Sequence, residues 1–193
     1  MSKPPKFVNL MLDLESMGKR SDAAIVSIGA CFFHLGRREI GPTFLQTIDL
    51  RSAVREGGTM DAGTVLWWLR QGQEARNSIS TSGRLIREVL TDFSDFILET
   101  CRHEDVVPWG NSPRFDMEKL DTAYRRLDLT APWYWTNERD FRTMRNVYPQ
   151  VVYDPEEKGD GNHNALTDAI FQANHLIKIN DYRINPKGSR TAA

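Results

Sequence analysis

A mixed α/β layer structure on one central sheet is the fold class this sequence predicts, and three observations predict it. Apolar or alternating segments follow one another over residues 8–48 with only short turns between them. Helix-period apolar stripes then alternate with short apolar runs to the end of the chain. No repeat, low-complexity stretch or linker divides the 193 residues. A single domain over 1–193 is therefore expected, with its core over about 7–178 and a polar tail over 179–193.

The first segment, residues 8–16, has strand periodicity. Val8, Leu10, Leu12 and Leu14 share one apolar face, and Asp13 and Glu15 point together from the other. Gly18, Lys19 and Arg20 signal a turn. Residues 23–33 form a second strand, apolar and β-branched enough to be buried on both faces, and residues 43–48 a third. Short turns make the three an antiparallel meander. Asp61 is placed to cap a helix running to Arg70, in which Val65, Leu66, Leu69 and the Trp67–Trp68 pair make a broad apolar surface. Residues 72–83 are polar, with Ser78, Ser80, Thr81, Ser82 and Gly83 reading as a loop. Leu85, Ile86, Val89, Leu90, Phe93, Phe96 and Ile97 then recur at helical spacing.

Residues 105–110 make a short fourth strand. The helix after it carries Asp116, Leu120, Ala123, Tyr124 and Leu127 on one face, residues 132–135 are expected as the fifth strand, and 138–146 as a charged helix. A long loop over 152–164 holds Pro155, Gly159 and Gly161. The last helix begins near Asn164, with an apolar stripe of Leu166, Ala169, Ile170, Ala173, Leu176 and Ile177. The tail from Lys178 is mildly basic, with Arg183, Lys187 and Arg190 against Asp181.

Composition excludes several classes. A net charge of −1 provides no global basic field of the kind used by proteins that coat nucleic acid. Hydrophobic residues at 40% and charged ones at 26% are ordinary for a globular protein. The two cysteines, Cys31 and Cys101, are too few for a disulfide framework and lack metal-ligand spacing. Cys31 lies in an apolar run as a small core residue, which suits a reducing compartment. No signal-peptide core and no bilayer-length apolar run occur, so a cytoplasmic protein without a membrane partner is expected.

The chemistry concentrates in carboxylates. Asp13 and Glu15 at the end of an apolar strand repel each other and cost desolvation, which a cation relieves. Asp116 heads an apolar stripe. A first-turn carboxylate suits the helix dipole on any face, so the dipole leaves its register unexplained. Asp168 sits one turn into the last helix, behind a glycine-rich loop that carries His163. Four carboxylates from three elements suit hard divalent cations with oxygen ligands. Two such cations about 4 Å apart stabilise the attacking and leaving oxygens of an in-line phosphoryl displacement. An imidazole, which titrates near neutral pH, can take the proton from the attacking water.

Asp13-x-Glu15, Asn111-x-x-x-Phe115-Asp116 and His163-x-Ala165-x-x-Asp168 together resemble the three signature motifs of the DEDDh exonucleases, in order, spacing and local context. The stretch 11–20 with 24–30 looks most like the exonuclease VIII-like or Rv2179c-like branch of phage and bacterial proteins. The similarity covers roughly residues 7–178.

The resemblance implies an RNase H-like fold: a five-stranded mixed sheet, the first three strands antiparallel, flanked by helices. It implies a 3'-5' exonuclease that uses two divalent cations, Mg²⁺ or Mn²⁺, and releases nucleoside 5'-monophosphates from single-stranded DNA or RNA 3' ends, with DNA favoured. Asp13 would bridge both metals, Glu15 and Asp168 would complete one site, Asp116 would hold the other, and His163 would be the general base. Ser16 and Met17 would contact the terminal nucleoside, Asn111 and Phe115 would line its pocket, and Trp67 would offer a stacking surface. Arg20, Arg70 and Arg114 would add phosphate affinity. A homodimer is among the implied assemblies, and the cytoplasm would be the host's if a phage encodes the chain. Two other classes use the same residues: a nucleic-acid-binding module that cleaves weakly, and a metal-dependent phosphatase or nucleotide hydrolase.

Overall fold

The computed structural model describes residues 6–80, 83–112, 114–154 and 163–186. Its sheet is built on β1 (Asn9–Ser16), with β2 (Ile25–His34), β3 (Glu39–Thr47), β4 (Val107–Gly110) and β5 (Arg139–Asp140) in the order β3-β2-β1-β4-β5. β1, β2 and β3 pair antiparallel across short turns. β4 pairs parallel to β1, and β5 parallel to β4, each after a long crossover. The expected five-stranded mixed sheet is the one found.

Side-chain alternation along β1 assigns its two faces. Leu10, Leu12 and Leu14 join one core cluster with Val89, Leu90 and Phe93 of α4 (Ile86–Thr100) and Leu120 and Tyr124 of α5 (Asp116–Arg126). Met11, on the same face as Asp13 and Glu15, lies in a second cluster under Ala169, Ala173 and Leu176 of α7 (Ala165–Ile184). β2 is buried along all but its last residue, as its composition predicts. Cys31 is fully buried there, and burial pushes its thiol up to about 12.

One glycine sets how closely α7 approaches the sheet. Gly29 pairs with Asp13 across β1 and β2. A Cβ at Gly29 would fall 2.1 Å from the backbone of Ala165 and Leu166. Only a glycine lets the first turn of α7 rest on the sheet at this register, one turn before Asp168.

Several boundaries differ from expectation. The fifth strand is Arg139–Asp140 rather than 132–135; Trp135–Asn137 is a single 3-10 turn. Aromatic residues raise β-propensity by packing, but here Trp133 sinks into the core while Trp135 stays 80% exposed. Asp140 caps the following helix α6 (Phe141–Val147), which starts later than the expected 138. The third strand begins earlier than residue 43 and includes Pro42, which an edge strand tolerates. Ser78 and Ser80 belong to a helix, α3 (Gln73–Ser80), rather than to a loop, and Thr81 and Ser82 lie outside the described residues. A short helix α1 (Leu50–Arg55), capped by Asp49, was not expected.

Asp61 does cap α2 (Ala62–Leu69), accepting the Thr64 N–H at 2.8 Å, but of its apolar residues only Trp68 is buried. Leu85 precedes α4 and is exposed. α7 continues through 178–184, where the tail was expected, because Lys178 and Arg183 take its outer face while Ile179 packs inward. Most of the loop over 152–164, including Pro155, Gly159 and Gly161, lies outside the described residues, as do Lys187 and Arg190. Among the described residues no helix is long and apolar enough to cross a membrane.

Candidate active site

Three elements deliver carboxylates to the C-terminal end of β1. Asp13 and Glu15 point from its α7-facing side, and α7 brings Asp168 down beside them. One oxygen from each of the three lies within 4.8 Å of the others. Asp116 comes from the opposite side of β1, at the start of α5, and is 2% exposed. The Asn111 N–H donates to its Oδ2 at 3.1 Å. A Cβ at Gly110 would lie 2.9 Å from that oxygen, so the glycine ending β4 leaves the carboxylate its space.

The electrostatics are those of carboxylates gathered where burial opposes their ionisation. Burial, then the charges of Asp116, Glu15 and Asp168, push the Asp13 carboxyl well above the usual carboxylate range. Burial also pushes Asp116 up to about 7, against the Asn111 N–H and the positive charge of Lys119. Such a cluster is stable as anions only with a cation among them. The donor set is all carboxylate oxygen, which fits Mg²⁺ or Mn²⁺ and not a thiolate-seeking metal.

Gln172, 3% exposed and one turn beyond Asp168 on the same face of α7, donates from Nε2 to Asp13 Oδ1 at 2.9 Å. Sequence reasoning passed over it. Its i+4 spacing from Asp168 was the available signal. A neutral amide orients Asp13 without cancelling the negative charge that attracts a cation.

His163 has φ 62°, a left-handed conformation uncommon outside glycine. It directly precedes Asn164, whose side chain caps α7 by accepting the N–H groups of Leu166 and Thr167 at 3.1 Å. The imidazole lies edge-on to Trp67, with centroids 4.7 Å apart, and 6.0 Å from Trp68. The two tryptophans have different roles. Trp68 is buried and donates its indole N–H to the Ser16 carbonyl at 3.2 Å, tying α2 to the end of β1. Trp67 is 41% exposed.

Beside the carboxylates opens a cleft of about 470 Å³, lined by Leu14, Glu15, Ser16, Trp67 and Phe115 together with the Gly18–Lys19 turn. Ser16, Trp67 and Phe115 thus share one cavity. Met17 does not line it: it follows the last residue of β1 and its side chain packs in the core, where it is 3% exposed. Asn111 stands behind Asp116, and Arg142 donates to its carbonyl at 2.8 Å. Arg20 pairs with Asp22 and Arg114 with Glu118.

A mixed sheet with its acidic cluster at the end of the central strand is the architecture of the RNase H-like exonucleases. The fold is similar to that of E. coli exonuclease I in complex with a dT13 oligonucleotide, with TM-score 0.63 and 16% identity over 91% of this chain and 42% of that one. The nuclease domain of 3'hExo, a DEDDh family member bound to rAMP, superposes with TM-score 0.59 at 10% identity, covering 92% of this chain and 94% of that one. Cell-death related nuclease 4 has TM-score 0.54 and 14% identity over 92% and 64%. The chain spans about two fifths of the exonuclease I chains it matches, and at these identities the likeness is one of fold. No curated protein matches it in sequence. The family model described as "3'-5' exoribonuclease Rv2179c-like domain" matches residues 8–180. The chain belongs to that family, and so to the DEDDh 3'-5' exonucleases.

Proposed function

We propose that this chain hydrolyses the terminal phosphodiester at the 3' end of single-stranded nucleic acid, using divalent cations, and releases nucleoside 5'-monophosphates. The observation that carries the reading is the meeting of Asp13, Glu15 and Asp168 oxygens within 4.8 Å beside a cleft whose volume falls in the range of small-ligand sites. Asp13, Glu15 and Asp168 would hold one Mg²⁺ or Mn²⁺, and Asp116 with Asp13 a second. Cations bound there supply charge neutralisation at the phosphoryl oxygens and a more acidic water.

The chain's own groups do the rest. Trp67 and Phe115 receive the terminal nucleoside in the cleft, with Ser16 at its sugar. Backbone donation from Asn111 fixes Asp116, and Gln172 fixes Asp13. His163, set at the start of α7 against the edge of Trp67, accepts the proton of the attacking water. Exposed arginines such as Arg20 and Arg114 meet the phosphates of the incoming strand.

Matched single-stranded DNA and RNA oligonucleotides, a recessed duplex and free nucleoside triphosphates test this reading together, with Mg²⁺ and with Mn²⁺. Release of mononucleotides from the single strands is expected; turnover of free nucleotides alone would make the chain a nucleotide hydrolase instead. DNA is the polymer favoured from sequence and RNA the one in the family's description, so the ratio of the two rates decides between them. His163→Ala is expected to lower kcat by roughly 10²–10⁴-fold, the usual contribution of a positioned base, with KM within a few-fold of the unaltered protein. An unchanged kcat at neutral pH would remove His163 from the base role.

A further inference from the structure

Lys119 has no assigned part in this chemistry, yet it is one of the largest fully buried side chains, at 1% exposure. It lies on α5, one turn after Asp116. Its Nζ sits 3.1 Å from the centroid of the Phe115 ring and donates to the Lys19 carbonyl at 3.4 Å. Phe115 and Lys19 come from different elements and both line the cleft. A single buried ammonium therefore ties two walls of the cavity together, one by a cation–π contact and the other by a hydrogen bond.

Burying an ammonium against a ring and a carbonyl is expensive. Burial pushes Lys119 down to about 8, even with the charges of Asp116 and Glu118 in its favour. A methionine of similar length would fill the same space without that cost. Simple packing therefore does not account for a lysine here, whereas a polar tie between Phe115 and the Gly18–Lys19 turn does.

We propose that Lys119 is a positioning residue for nucleotide binding, holding Phe115 and the Gly18–Lys19 turn at the spacing that clasps a terminal nucleoside. This rests on the functional reading above for its ligand class. It goes beyond that reading by assigning the width of the cleft to a residue outside the carboxylate cluster.

The Lys119→Met variant tests it in three measurements. Its thermal midpoint is expected to equal or exceed that of the unaltered protein. KM for a single-stranded oligonucleotide should rise about tenfold with kcat within threefold, the size a desolvated cation–π contact and one hydrogen bond can carry. Affinity for AMP and dAMP, titrated calorimetrically without turnover, should fall by the same factor. A folded variant with unchanged nucleotide affinity, or with a loss confined to kcat, overturns the proposal. If Lys119→Met does not fold, Lys119→Gln keeps a donor for the Lys19 carbonyl and removes the cation from the Phe115 ring; the same loss of nucleotide affinity supports the proposal, and unchanged affinity overturns it. The calorimetry also separates the two readings. A protein that cleaves no polymer but binds AMP through Lys119 fails the functional reading alone, and one that binds neither mononucleotide fails this one.

Discussion

Replacing Asp13 with asparagine is expected to cut mononucleotide release at least about a thousandfold while leaving the metal-free protein as stable as before, or more so. The ionisation of Asp13 is opposed by Asp116, Glu15 and Asp168. On the proposed reading it holds both cations. Asparagine keeps the shape, and its Oδ1 can still accept the hydrogen bond that Gln172 makes at 2.9 Å. What is lost is charge. A thousandfold loss is about 4 kcal/mol of transition-state stabilisation, a modest demand for a central ligand of metal-assisted phosphoryl transfer. Stability moves the other way, because a buried group that repels three neighbours has become neutral. Rates with Mg²⁺ and Mn²⁺ and melting curves in EDTA check both signs. Retained activity would exclude Asp13 from the site, and a large drop in the EDTA melting midpoint would make its role structural.

The second large effect is a metal-dependent reversal in how stability responds to pH. Asp116 is held up at about 7 by burial, against about 4 in an unfolded chain, and Asp13 is raised well above the usual range. Between those values the native state keeps protons that the unfolded state has released. Without metal, stability therefore falls as pH rises from about 4 to 7 and is lowest above that window. A shift of this size is worth on the order of a few kcal/mol, or roughly 5–10 °C in melting midpoint for a chain this long. A bound cation favours the ionised carboxylates and removes the penalty. Melting curves from pH 5 to 8 are expected to slope downward in EDTA, and to flatten or rise in saturating Mn²⁺. Parallel slopes in the two buffers would mean that the cluster binds no cation.

Much of this arrangement was legible in the chain itself. Strand alternation alone put Asp13 and Glu15 on one face, and the apolar stripe of α5 put Asp116 on a buried one. These are local periodicities, and the fold preserves them. What escaped notice depends on partners distant in sequence. Gln172 gains its role from Asp13, 159 residues away, and Lys119 from Lys19, 100 residues away. Neither residue type signals a function by itself. Met17 differs from expectation for another reason: it lies just beyond β1, where strand alternation no longer sets the direction of a side chain, and it packs into the core. The fifth strand was misplaced because two residues paired to the end of β4 carry no periodicity at all. The division of labour between Trp67 and Trp68 was also invisible, since helical spacing cannot say which of two adjacent rings faces the core.

The most direct test follows the products of one oligonucleotide labelled at its 5' end, incubated with the unaltered protein in Mn²⁺, in EDTA, and with Asp13→Asn in Mn²⁺. The predicted result is a ladder that shortens one nucleotide at a time from the 3' end, with 5'-monophosphates as the other product, in the first reaction only. Immediate release of the labelled 5' nucleotide, internal cuts without a ladder, or the same ladder in EDTA or with Asp13→Asn would contradict a carboxylate-held, metal-dependent 3'-5' exonuclease.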